Sequence, residues 1–375
     1  MSPAVPARAQ RAWDRCLILP VLVAAALGFL SVAAPADVVL AQAQAGDVLR
    51  LTLEQAVEMA FDYDLEHAIA RLQWENARID RRIAQASGPV SPYERLRQEI
   101  QERRAENDYR SARRSLVINV TRDYLDLKQA LRQLEIARRN LELARQELAV
   151  VQEMVRIGER HPQELLREEN RVAGLELTLA SAERNVETRR QSLLQRLGLD
   201  ADAHVELVDE PEPVLWQWDF EETLTYAQEN AFTVWERQAN LRIAAMDLEA
   251  LRVQDPAPLQ LEKAENEHRI AEMQAQQAQR SFENNVRTAY HALSDAARRL
   301  ETAKVDFDLA VAAHDTARRR HEAGLTTDLD WARAELDLLS AVQSYHDAIY
   351  NYIRSRLDLL SLIGHPLDLG EDPAE

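Results

Sequence analysis

Glycine and proline are scarce in this 375-residue chain, with nine and thirteen copies, and there is a single cysteine. Few turn formers exclude a turn-rich β-sandwich or barrel reading, because such folds need a turn signal every 8–12 residues. One cysteine, Cys16, excludes a disulfide framework and a Cys-based zinc site. Aromatics make up only 6% of the residues, and acidic residues outnumber basic ones to leave a formal charge of −18. That balance argues against nucleic acid as a partner, since phosphate binding needs clustered basic surface. The basic residues that are present are mostly Arg interleaved with Glu and Asp, the pattern of a solvated helix face laced with ion pairs. No Ser/His/Asp constellation, Gly-rich phosphate loop or Cys/His cluster appears, so neither an enzymatic activity nor a cofactor nor a metal is predicted.

The abundant residues are helix formers, and they come in long uninterrupted runs. From Glu94 to Ile157 there is no Gly or Pro. Such a run gives a helix of roughly 96 Å at ~1.5 Å per residue, which requires a coiled coil or a long bundle for its burial. Val120, Leu127, Leu134, Leu141, Leu148 and Val155 recur every seven residues, a knobs-into-holes seam. A companion row runs Tyr124, Leu131, Ala137, Ala144, Val151, with a phase shift placed between Leu131 and Ala137.

The chain also repeats itself. A displacement of 166 pairs Val120 with Val286, Tyr124 with Tyr290, Leu134 with Leu300 and Gly198 with Gly364. A displacement of 167 pairs Leu53 with Phe220 and Pro89 with Pro256. Each half therefore reads as a shorter helix (53–86; 220–253), a Pro-rich turn, a long helix, a glycine tip and a further helix (163–197; 329–363). The expected organisation is a signal peptide or N-terminal anchor at 1–45, a first repeat at 46–200, a linker at 201–219, a second repeat at 220–366 and an acidic tail at 367–375. The first segment has Arg8, Arg11 and Arg15 before an apolar stretch and small-residue cleavage sites, which predicts export. Any membrane contact is expected only through this segment. In the linker, Trp216 and Trp218 are expected to pack against the helices. The tail from Gly370 to Glu375 is expected to be disordered.

The two tips are the landmarks. Gly324 follows a basic last turn and precedes Thr326, Thr327 and Asp328, so it reads as a helix C-cap followed by an N-cap. Gly158 occupies the same place in the first half. Tyr290 with its following heptads, the run His321 to Asp330, Ala334-Glu335-Leu336, Leu359 to Gly364, and the entry Leu51 to Ala60 together resemble the TolC-type outer-membrane efflux family. The resemblance covers nearly all of 51–366. It implies a homotrimer whose helical tube docks a periplasmic adaptor (a membrane fusion protein) of an inner-membrane drug-efflux or type I secretion pump. By that resemblance Gly324, Leu325, Thr327 and Gly158 are docking-tip residues, and Asp330, Arg333 and Glu164 are candidates for a pore constriction. Glu159, His161 and Pro162 depart from the family tip, and Arg333 stands where some members carry a second aspartate. Asp330 is equally readable as a helix N-terminal carboxylate, and Trp331 as a seam residue.

One departure is larger. The family inserts a transmembrane β-hairpin between the shorter and the long helix of each half. Here those sites hold only Ser87–Pro92 and Asp255–Pro258, too few residues for a membrane-spanning strand. The expected fold is therefore all-α, with duplicated helical hairpins forming a coiled-coil bundle or tube and no barrel strands. The expected function is an envelope transport component, periplasmic or envelope-associated; the alternative is an extracytoplasmic coiled-coil spacer or tether.

Overall fold

The computed structural model describes residues 48–367. The predicted signal segment and nearly all of the acidic tail lie outside the described residues. Each half begins with a short strand or linker and then runs through helices. The first half comprises β1 (Leu49–Leu51), α1 (Leu53–Tyr63), α2 (Leu65–Ala86), α3 (Pro92–Arg156) and α4 (Pro162–Arg196). The second comprises β2 (Val205–Leu207), α5 (Phe220–Asn230), α6 (Phe232–Val253), α7 (Pro258–Glu322) and α8 (Asp328–Ile363). The fold is the duplicated helical hairpin that the sequence predicts. Among the described residues the only strands are β1 and β2, which pair in parallel with Leu49 opposite Val205. Neither Pro turn carries a strand.

The helix starts follow local chemistry. Ser91 caps α3 by accepting from Glu94 N, and the Glu94 carboxylate accepts from Ser91 N in return, a reciprocal capping box with Pro92 at the first helical position. Helices α3 and α7 each have 65 residues, so each is roughly 98 Å long at ~1.5 Å per residue.

Two expectations need correction. The stretches 53–86 and 220–253 are not single helices. Each breaks at one residue, Asp64 (ψ 110°) and Ala231 (ψ 87°). Asp64 both ends α1 and opens α2, its side chain accepting from His67 N at 2.6 Å. The breaks are 167 residues apart, so they belong to the duplicated plan. The second correction concerns the companion row. Leu131 is exposed, whereas Ala130, Ala137, Ala144 and Val151 are buried. The seven-residue row therefore runs through Ala130, and the phase shift falls between Tyr124 and Ala130.

The duplication is visible in burial. Val120 and Val286 are both 0% exposed, Leu127 and Leu293 both 2%, and Leu134 and Leu300 both 8%. Val120, Leu127, Val286, Leu293 and Leu300 belong to one core at mid-length, where α1, α3, α5, α7, α8 and the end of α4 meet the linker. Away from that core the helices form a row. On the side of the Pro turns the order is α2, α3, α6, α7; on the side of the glycine tips it is α4, α3, α8, α7. The end helices of each row do not pack on one another to any extent, so neither row is a closed four-helix rod.

Candidate docking tips and the charge network behind them

Both glycine tips are Schellman turns. At the α7–α8 tip, Gly324 has φ +71°. Gly324 N donates to His321 O and Leu325 N to Arg320 O, both at 2.8 Å. At the α3–α4 tip, Gly158 has φ +83°, with Gly158 N donating to Val155 O at 3.1 Å and Glu159 N to Met154 O at 2.8 Å. No neighbour lies within 4 Å of either glycine's missing Cβ. The left-handed backbone alone demands glycine there.

The tips differ after the turn. Thr327 caps α8 through a capping box: Asp330 N donates to Thr327 Oγ1 at 3.2 Å, and Thr327 Oγ1 and N donate to Asp330 Oδ2 at 2.8 and 3.3 Å. The bonds from Thr327 hold the Asp330 carboxyl below its ordinary value. His161 opens α4 without any side-chain cap, leaving Pro162 to set the first turn. Leu325 projects 71% exposed from its tip. Trp331 sits behind it between two histidines, its ring centroid 4.9 Å from His314 and 5.7 Å from His321, the latter stacked.

Gly324, Leu325, Thr327, Asp330 and Arg333 thus come together at one tip. Gly158 and Glu164 lie at the other, where Glu164 pairs with Arg160 at 3.2 Å; nothing brings Glu164 to Asp330. Arg333 does bridge the repeats. It reaches Asp330 at 3.4 Å on its own helix, and it donates to Glu147 Oε1 of α3 from Nη2 at 2.6 Å and Nε at 3.1 Å. Glu147 also accepts from Arg171 of α4. Burial alone would raise the Glu147 carboxyl, but Arg333 and Arg171 hold it below its ordinary value. Glu147 escapes notice in the sequence because it lies 186 residues from Arg333, on a helix crowded with glutamates.

A second junction sits at mid-length. The linker residue Glu210 accepts from Lys128 Nζ at 2.7 Å, Arg132 Nη2 at 2.5 Å and Tyr350 OH at 3.1 Å, and His346 Nδ1 lies 3.6 Å away. Burial works to raise the Glu210 carboxyl, and Lys128 and Arg132 outweigh it. Asp209 takes the Tyr124 hydroxyl and caps Leu53 N at 3.0 Å. Trp216 packs as expected, its backbone N donating to Tyr352 OH at 2.7 Å and its ring meeting Trp218 edge-on. The linker therefore clamps α1, α3 and α8 together.

The arrangement can present two turns side by side at one end of the helices, on a seam braced by the half-exposed Arg171 and Arg333 on the largely covered Glu147 carboxylate. Among the described residues no helix is long and apolar enough to cross a membrane. Residues 259–365 match the model of the family described as outer membrane efflux protein. No match to this sequence was found among curated proteins. Solved structures similar in fold include a membrane protein from Pseudomonas aeruginosa, at 17% identity and TM-score 0.61, covering 85% of this chain and 91% of that one. The outer membrane protein VceC of Vibrio cholerae gives 14% identity and TM-score 0.60, covering 84% and 97%. The Campylobacter jejuni CmeC outer membrane channel gives 15% identity and TM-score 0.56, covering 86% and 87%. In sequence over its second repeat, and in fold over most of its length, the chain resembles the TolC-type outer-membrane efflux proteins.

Proposed function

We propose that this protein is a TolC-like component of an envelope efflux or type I secretion assembly. Several copies, three by the family resemblance, close into a helical conduit, and the Gly158 and Gly324 tips dock a periplasmic adaptor serving an inner-membrane pump. The observation that carries the reading is the open row. Four helices side by side, with α4 and α7 left unclosed at the edges, are a segment of a wall. The edges keep apolar residues in water, Leu166 and Leu177 on α4 and Val305 and Leu309 on α7, which a single chain does not need. No enzymatic step is assigned to it. The test is electron microscopy and solution mass of the purified full chain, with binding to a co-encoded adaptor. A hollow trimer that binds the adaptor is expected; a stable monomer without adaptor affinity overturns the proposal.

A second reading, a spacer or tether that moves nothing, is favoured by one observation: both Pro turns lack the strands with which a barrel would be built. Deletion distinguishes the two. An export defect accompanies the conduit, and none accompanies the spacer.

A further inference from the structure

Helix α2 carries an exposed stripe that the single chain leaves bare. Leu65, Ile69, Leu72, Asn76, Ile79 and Ile83 are spaced 4-3-4-3-4, and all six are exposed. This is a complete coiled-coil seam with one polar position. At the opposite edge of the same row, α7 exposes Leu259, Asn266, Ile270 and Met273, spaced 7-4-3, again apolar with one asparagine.

The duplication tells what such a pair of faces is for. Helix α7 repeats α3 at a displacement of 166, and α6 repeats α2 at 167. The contact between α3 and α6 inside one chain is therefore the internal counterpart of a contact between α7 of one copy and α2 of the next. The internal seam is formed and can be read. Leu96, Ile100 and Ala239 are buried together, with Trp235, Ile243 and Met246 packed against them. Beside them Arg104 Nη2 meets Glu236 Oε1 at 2.5 Å, and Arg103 lies 4.3 Å over the Trp235 ring.

Transferring two of these position pairs to the outer edges gives a matched exchange, while Leu96 and Ala239 become Glu262 and Leu72. The apolar Ile100 and Ile243 become Asn266 and Asn76. The ion pair Arg104–Glu236 becomes Ile270 and Ile69. In each case both members change type together, one on each edge. A face meant for water would gain nothing by placing isoleucine where its duplicate has a charge. Two edges that meet each other would, because an isoleucine is buried only if its partner is apolar too.

We propose that a second copy of this chain seats its α2 stripe on the α7 stripe, with Ile69 against Ile270 and Asn76 in the layer of Asn266. This rests on the conduit reading above and names its copy-to-copy seam. The exchange also sets specificity. An α7 edge offered to an α6 face would put Ile270 on Glu236 and Asn266 on Ile243, leaving a carboxylate and an amide without partners. The outer edges therefore recognise one another and reject the internal surface. A head-to-tail seam of this kind repeats until the wall closes.

The test uses the purified full chain, with solution mass and helical content measured together. Ile69→Glu alone and Ile270→Arg alone should each reduce the mass to that of one chain while helical content is kept, since both positions are exposed in the single chain. The combined variant recreates the Arg104–Glu236 pair in reversed duplicate and should restore the assembly. In a Cys16→Ser background, Ile69→Cys with Ile270→Cys should crosslink neighbouring copies on oxidation, and neither single cysteine should do so through this pair. An assembly that survives both single charge variants, a combined variant that does not reassemble, or a wild-type-sized assembly without crosslinks overturns the seam and leaves the conduit standing. A wild-type chain that is itself monomeric overturns both.

Discussion

Gly324 holds a left-handed backbone at the tip, with open space around it, so only the backbone penalty decides what a substitution does. Gly324→Ala should cost about 1 kcal/mol, the penalty of that conformation for a residue with a Cβ. Gly198 has φ +68°, and a Cβ there would overlap the Tyr63 ring. Gly198→Ala should therefore cost more than Gly324→Ala, and denaturant midpoints of the two variants measured side by side check the order. Asp330 illustrates how a suspected functional residue can have a complete local explanation. It is the third-position partner of Thr327 in the cap of α8 and a neighbour of Arg333. Thr327→Ala should cost about 1 kcal/mol through loss of the cap. If the tip docks an adaptor, adaptor affinity should fall further than that loss of stability accounts for. A binding isotherm taken well below the melting temperature separates the two effects.

At the scale of elements, the sequence made the long helices and their ends legible because those depend on local chemistry. Pro92 and Pro258 start α3 and α7, and Gly158 and Gly324 end the hairpin turns. The breaks at Asp64 and Ala231 were not legible. They need no glycine or proline, only one residue turned to extended ψ, and tertiary packing on the core selects it. Asp64 could have been noticed as a cap three residues before His67, but Ala231 offers no comparable signal. The exposed Leu131 misled for a related reason: an apolar residue one step from the true row satisfies the spacing almost as well as Ala130. Of the tip residues, those within one turn were legible together, while the Glu147 bridge is a long-range pairing that spacing cannot reveal. Asp64→Ala should remove the cap of α2 and cost about 1 kcal/mol. Because α6 lacks any such cap, the loss should raise hydrogen exchange in the first turn of α2 and leave that of α6 unchanged.

Across the whole molecule, two of the carboxylates that join the repeats are tuned in the same direction. Glu147 joins α3, α4 and α8, and Glu210 joins the linker to α3 and α8. Each has a folded-state pKa below its ordinary 4.5. A depressed carboxyl pKa means that the unfolded chain binds more protons in this window. The stabilisation is thus fully present above about 4.5 and is lost as pH falls through the lower folded values. His346, beside Glu210, is pushed down from 6.5 by burial and by Arg132; the unfolded chain therefore takes up this proton at higher pH than the folded one, which also erodes stability as pH falls below 6.5. Asp347 works against this trend, since burial raises its carboxyl above 3.8 and mild acid relieves it. Glu147 and Glu210 each accept from two charged partners, so the expected acid response has their sign. Denaturant unfolding of the full chain, followed by circular dichroism from pH 7 to pH 3, should show stability declining from about pH 6.5 and more steeply below about pH 5. The double variant Glu147→Gln with Glu210→Gln should be less stable at pH 7 and should lose less between pH 5 and pH 3. A variant whose acid loss equals that of the wild type would place the acid sensitivity elsewhere than at these two junctions.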